Sequence, residues 1–119
     1  MTDLDPLLKY REQHKHRLNY MPWLYYSLKP KHRAWAEAWQ HEYQDYLRQM
    51  ETVEIGENCF ISPLAHIFAE PGRTIRIGDN TFIAADCTLH GSLEIGSDVV
   101  INHHCILDGG RVGFKLHDQ

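Results

Sequence analysis

The chain has 119 residues and a formal net charge of −4, which suits one compact domain or a small domain with an appendage. That charge gives no electrostatic case for nucleic acid or for an anionic membrane, and no apolar run reaches the length that inserts in a bilayer. Three cysteines, with no C-x-x-C pair, argue against a disulfide framework and fit a reducing, cytoplasmic setting. Asp3 and Asp5 stand ahead of any apolar run, which is not the pattern of a secretory leader.

All tyrosines and tryptophans lie at or before Tyr46, and all glycines and isoleucines lie at or after Ile55. The first 50 residues carry eight Lys/Arg against six Asp/Glu, and the remainder four against ten. Two structural units are therefore expected, 1–50 and 51–119. The first is predicted to be helical. Asp5-Pro6 is a start signal, an N-cap followed by proline at the first helical position. The segment from Leu7 to about Tyr20 lacks glycine and proline, and Pro22 ends it. Pro30 opens a second predicted helix, on which Trp35, Trp39, Tyr43, Tyr46 and Met50 recur at spacings of four and three. That stripe is expected to pack on the second unit or on the sister helix. Trp23, Tyr25 and Tyr26 fall between the helices, where they are expected to help line a pocket.

The second unit has a six-residue period. Ile77, Ile83, Leu89, Ile95, Ile101 and Leu107 keep the step without a slip, and Ile55, Ile61 and Ile67 run it earlier. This period fits neither a helix nor an amphipathic strand. It is the mark of a β-solenoid, in which each short strand buries one aliphatic and then turns a corner. Ile-Gly recurs at 77 and 95, so three hexapeptides make one coil of 18 residues. The interval from Ile55 to Ile77 is four longer, and the turn-forming stretch 69–74 is predicted to hold the excess as a loop. Cys59, Ala65, Thr81, Cys87, Val99 and Cys105 share the fifth hexapeptide position and are expected at tight inner corners. Cys87 and Cys105 are then neighbours, expected as two core thiols and not a disulfide. Phe60, Phe82 and Val100 form a column. Arg111 to Leu116 alternates weakly and offers the start of another face.

Residues 18 apart lie on adjacent coils, about 4.8 Å away. This sets His90 beside Asp108 and Asp86 beside His104. Each is a carboxylate–imidazole pair able to orient the ring or raise its pKa. With Asn102-His103-His104 these are the candidate catalytic residues, His103 or His104 as general base and Asp86 and Asp108 as orienting groups. The other reading of these residues is a histidine-rich face turned to solvent, since surface pairs of this kind are common.

Ile55-Gly56-Glu57-Asn58-Cys59-Phe60-Ile61-Ser62 and Ile77-Gly78-Asp79-Asn80-Thr81-Phe82-Ile83-Ala84, with helices in front, resemble the hexapeptide-repeat acyltransferases, especially the maltose and galactoside O-acetyltransferase branch. The resemblance implies a mainly β fold, a left-handed parallel β-helix of about three coils behind an N-terminal helical segment. It also implies a homotrimer with clefts between neighbouring β-helices. There acetyl-CoA or another acyl-CoA is co-substrate, a small sugar-like molecule is acceptor, a histidine is general base, and no metal is expected. Relatives carry further Ile-Gly coils, a histidine in an Asn-His or Gly-His context and a Gly-Asn-Pro-Ala segment. Against that pattern the chain reads as an incomplete copy. Two alternatives stand beside acyl transfer. One is a non-catalytic trimeric scaffold. The other is a zinc site like that of gamma-class carbonic anhydrases, built from His66, His90, His103 and His104. Asp108 stands where the latter family's spacing puts a second ligand five residues after His103.

Overall fold

The computed structural model describes residues 6–109 and 114–116. Helix α1 spans Pro6–Tyr20, a 3-10 turn spans Pro22–Tyr25, and helix α2 spans Pro30–Met50. Both prolines that the sequence placed at helix starts are there. Asp5, read as a cap, lies outside the described residues. Strands follow as β1 (Val53–Ile55), β2 (Phe60–Ile61), β3 (His66–Phe68), β4 (Ile75–Ile77), β5 (Phe82–Ile83), β6 (Thr88–His90), β7 (Leu93–Ile95), β8 (Val100–Ile101), β9 (Ile106–Asp108) and β10 (Phe114–Leu116).

These strands form three parallel sheets, β1-β4-β7-β10, β2-β5-β8 and β3-β6-β9. Each coil contributes one strand to each sheet, giving a short left-handed parallel β-helix. Coil one stacks on coil two at an offset of 22 residues on every face (Ile55 on Ile77, Phe60 on Phe82, Ile67 on Leu89). The four extra residues therefore sit after β3, in the 69–74 loop. Coil two stacks on coil three at 18 (Ile77 on Ile95, Ile83 on Ile101, Leu89 on Leu107). Leu116 pairs with Ile95, so β10 begins a fourth turn after three residues beyond the 18-residue step.

The period-six aliphatics face inward and make the core. Ile61, Ile83 and Leu89 are fully buried, with Ile67, Ile77, Ile95 and Ile101 close behind. The corners explain the residues around them. Asn58, Asn80 and Asp98 hold positive φ of 55°, 53° and 60°, the left-handed conformation that Asn and Asp tolerate best after glycine. Asn58 Nδ2 donates to Asn80 Oδ1 at 2.8 Å on the next coil. Gly78 has no room for a side chain, because a Cβ there would lie 2.7 Å from the Gly96 carbonyl carbon and the Ser97 nitrogen. The Ile-Gly signature thus records where corners stack backbone on backbone.

The fifth-position residues do more than fit a tight corner. Cys59 Sγ donates to Gly78 O at 3.0 Å, Thr81 Oγ1 to Gly96 O at 2.8 Å, and Cys87 Sγ to Asn102 O at 2.9 Å. Each satisfies a corner carbonyl of the following coil from inside, which a buried carbonyl needs. The cysteines are free thiols, and burial pushes Cys59 and Cys87 up from the usual thiol range.

The helices cover the open end of coil one, where Trp35, Trp39 and Tyr43 of the aromatic stripe pack on the core as expected and Tyr46 and Met50 do not. The buried face of α2 is Ala36, Gln40, Gln44 and Leu47. Trp35, Trp39 and Tyr43 flank that face half-buried, while Tyr46 and Met50 are exposed. A first coil leaves its strand edge without a lower neighbour. Gln40 replaces that neighbour: its Oε1 accepts from Ile61 N at 2.8 Å and its Nε2 donates to Ile61 O at 3.1 Å. Gln44 Nε2 donates to Cys59 O at 3.1 Å and to Gln40 Oε1 at 2.9 Å. An aromatic could fill the space but could not complete the ladder. Tyr25 is buried against Phe60 and Phe82, with ring centroids 5.6 and 6.3 Å apart. Burial pushes its phenol up to about 12. Trp23 and Tyr26 stay exposed.

Candidate functional site

Both 18-residue neighbour pairs exist, and they stand at different places on the coil. His90 and Asp108 are outward residues of β6 and β9 in register. His90 Nδ1 lies 3.4 Å from Asp108 Oδ1, and Nε2 meets a Glu70 carboxylate oxygen. The ring stacks on Phe68 of β3, with centroids 4.8 Å apart and planes at 27°. Glu70 comes from the 69–74 loop, where it also pairs with Arg73. The hydrogen bond to Glu70 raises the His90 pKa first, and the charges of Glu70 and Asp108 add to it. Two carboxylates facing the two ring nitrogens favour the imidazolium. With a carboxylate at each ring nitrogen and Phe68 against its face, His90 ties three coils and a loop together.

Asp86 and His104 lie at the second corner of coils two and three. Both have left-handed backbone, φ 60° and 64°. His104 Nε2 lies 4.0 Å from Asp86 Oδ2, beyond direct hydrogen bonding but within ion-pair reach. The His104 side chain is 72% exposed, so its ring has a free approach from solvent. His103 packs edge-on to it at 5.3 Å and to Tyr20 at 6.0 Å. Tyr20 is the last residue of α1, so the helical unit reaches the histidine corner. The anchor is local: Asn19 O accepts from Ala85 N at 2.6 Å, and Asn19 Oδ1 accepts from Ser62 Oγ at 2.8 Å. The geometry therefore groups Asp86, His103, His104 and Tyr20, and sets His90 with Asp108, Glu70 and Phe68. Glu70, Phe68 and Tyr20 carried no signal of this in the sequence, since their partners come from a loop, a neighbouring coil and a helix end.

A third feature is an open groove of about 750 Å³ along β1-β4-β7-β10, lined by Glu54, Arg76, Asp79, Glu94, Ser97 and Leu116 among others. The outward middle residues of β1, β4 and β7 alternate in sign: Glu54, Arg76 and Glu94. Arg76 is ion-paired to Glu54. Among the described residues of this chain, no three of His, Cys, Asp or Glu come together as a metal site. No helix among them is long and apolar enough to cross a membrane.

Residues 74–109 match the family model described as bacterial transferase hexapeptide (six repeats). The matched segment is coils two and three, which run without an insertion. Coil one has the same geometry but is set off by the 69–74 loop. A search of the curated proteins finds no match, and a search of the solved structures finds none.

Proposed function

We propose that this chain is an acyltransferase, moving an acetyl or other acyl group from acyl-CoA to a hydroxyl of a sugar-like acceptor, and that it works as a homotrimer. The observation that carries this is the Asp86–His104 pair: an exposed imidazole beside a carboxylate on the adjacent coil, inside the segment that matches the transferase repeat. His104 is the base, and the Asp86 carboxylate 4.0 Å away orients its ring by charge. The acceptor oxygen attacks the thioester carbonyl carbon while its proton passes to the free nitrogen of His104. The carbon–sulfur bond then breaks, and the thiolate leaves and takes up a proton. His103 and Tyr20 border the acceptor. Exposed Phe68 and Ile106, on the β3-β6-β9 face, supply apolar surface for a neighbouring copy.

A non-catalytic scaffold has one observation in its favour. Left-handed corners select Asp and Asn-like residues for backbone reasons alone, and Asp86 and His104 both sit at such corners. Release of free thiol from acetyl-CoA decides between the two. The full chain should release it only when a sugar acceptor is present, and His104→Ala should abolish most of the release. Thiol release that stays at the uncatalysed rate with every sugar tested overturns acyl transfer and leaves the scaffold.

A further inference from the structure

Away from the coils, α1 and the start of α2 enclose a cleft of about 290 Å³ lined by Tyr10, Arg11, Lys31, His32 and Trp35. Its walls are aromatic. Tyr10 lies 5.3 Å from His32, His32 lies 6.2 Å edge-on from Trp35, and His14 packs 4.4 Å from His32 at the back. Its charged lining groups are cations, Arg11 and Lys31. The Arg11 guanidinium stands 5.6 Å over the Trp35 ring, and among the described residues Arg11 Nε and His14 Nε2 are buried without a hydrogen-bond partner. Trp35 Nε1 donates to His32 Nδ1 at 3.2 Å, so the other ring nitrogen of His32 carries its proton and is a further donor. Burial first, then the charges of His32 and Arg17, push the His14 pKa down. The nearby acid, Glu12, is paired with Lys15 at 3.3 Å. Among the described residues neither Arg11 nor Lys31 has a carboxylate partner.

A buried donor without an acceptor is costly, and a pocket rich in donors and poor in acceptors is matched by an anion. Aromatic walls add a stacking surface for a ring. We propose that this cleft binds a small ring-bearing anion, an aromatic ring with one attached phosphate or carboxylate, its charge held by Arg11 and Lys31 and its ring against Tyr10 and Trp35. The cleft is smaller than the usual drug-sized site, so a single ring system with one anionic group fits its size. The site is separate from the histidine corner, and its occupancy does not depend on acyl transfer.

Tryptophan fluorescence of the full chain tests this, with phenyl phosphate, benzoate and inorganic phosphate titrated separately at low salt. Saturable quenching is expected with phenyl phosphate or benzoate, and it should be at least tenfold weaker with inorganic phosphate. The stronger of the two ring compounds shows whether phosphate or carboxylate is preferred. Arg11→Gln and Lys31→Gln should each weaken binding about tenfold, the loss of one charge-assisted contact, with an unchanged circular dichroism spectrum. No saturable quenching by either ring compound up to about 10 mM, weaker than ordinary small-ligand affinity, overturns the proposal. So does binding that both glutamine variants leave intact.

Discussion

Gln40→Leu tests how the helical unit is joined to the coils. Leucine keeps roughly the side-chain volume and adds apolar surface, so packing alone predicts a neutral or stabilising change. The structure predicts the reverse. Gln40 is 1% exposed and Ile61 is 0% exposed, so water cannot replace the two bonds from the amide to Ile61 N and O. Leaving a buried donor or acceptor unpaired costs about 1–3 kcal/mol per group, and Gln44 also loses its bond to Gln40 Oε1. Added apolar burial returns about 1–2 kcal/mol. The net expectation is a loss of about 3 kcal/mol. Urea unfolding at 25 °C, followed by circular dichroism, measures it as a lower midpoint with little change in slope. His41→Ala, at the exposed next position on α2, should stay within about 0.5 kcal/mol. Wild-type stability in Gln40→Leu would refute the view that glutamines complete the first coil.

Gly78→Ala puts a Cβ 2.7 Å from the backbone of Gly96 and Ser97. Backbone at a stacked corner cannot swing aside, so about 2 kcal/mol or more should be lost in the same urea assay. Titration of His90 by NMR should show a pKa above the ordinary histidine value, falling back in Glu70→Gln, because Glu70 is the leading cause of the rise. Since the folded state holds that proton more tightly than the unfolded chain, the stability His90 contributes is full below about pH 6.5 and is lost as pH rises through its folded pKa. Melting temperatures of wild type and His90→Gln should therefore converge as pH rises. Unfolded, unreduced protein should present three thiols to a colorimetric reagent, since all three cysteines are free. In the native state half-buried Cys105 should react ahead of Cys59 and Cys87, whose pKa values burial raises.

The coil architecture was written in the chain because it rests on a repeat. One aliphatic per six residues can be counted, and the 22 and 18 residue offsets follow from where Ile-Gly recurs. The 69–74 loop was readable for the same reason, as a break in a regular count. Contacts between non-repeating parts were not readable. Trp35, Trp39 and Tyr43 of the α2 stripe do pack on the core, but they flank the buried face of the helix. The actual buried face needs hydrogen-bonding groups, since it meets a bare strand edge, and nothing in Gln40 or Gln44 alone announces such a partner. The stacking rule found His90–Asp108 and Asp86–His104 as neighbours. It could not show that Glu70 would close on the far side of His90, or that α1 would bring Tyr20 to His103. Those partners depend on how a loop and a helix fold back across the coils, which a repeat does not encode.

The most direct test of the central functional claim is transfer of labelled acetyl from acetyl-CoA by the full chain to a panel of mono- and disaccharides, with the products separated and counted. Acyl transfer at the histidine corner predicts a labelled sugar ester. His104→Ala should lower its rate by at least about 100-fold, the usual contribution of a general base, and Asp86→Asn by less. Label that stays on acetyl-CoA with every acceptor, or ester that forms at the same rate in His104→Ala, would contradict it.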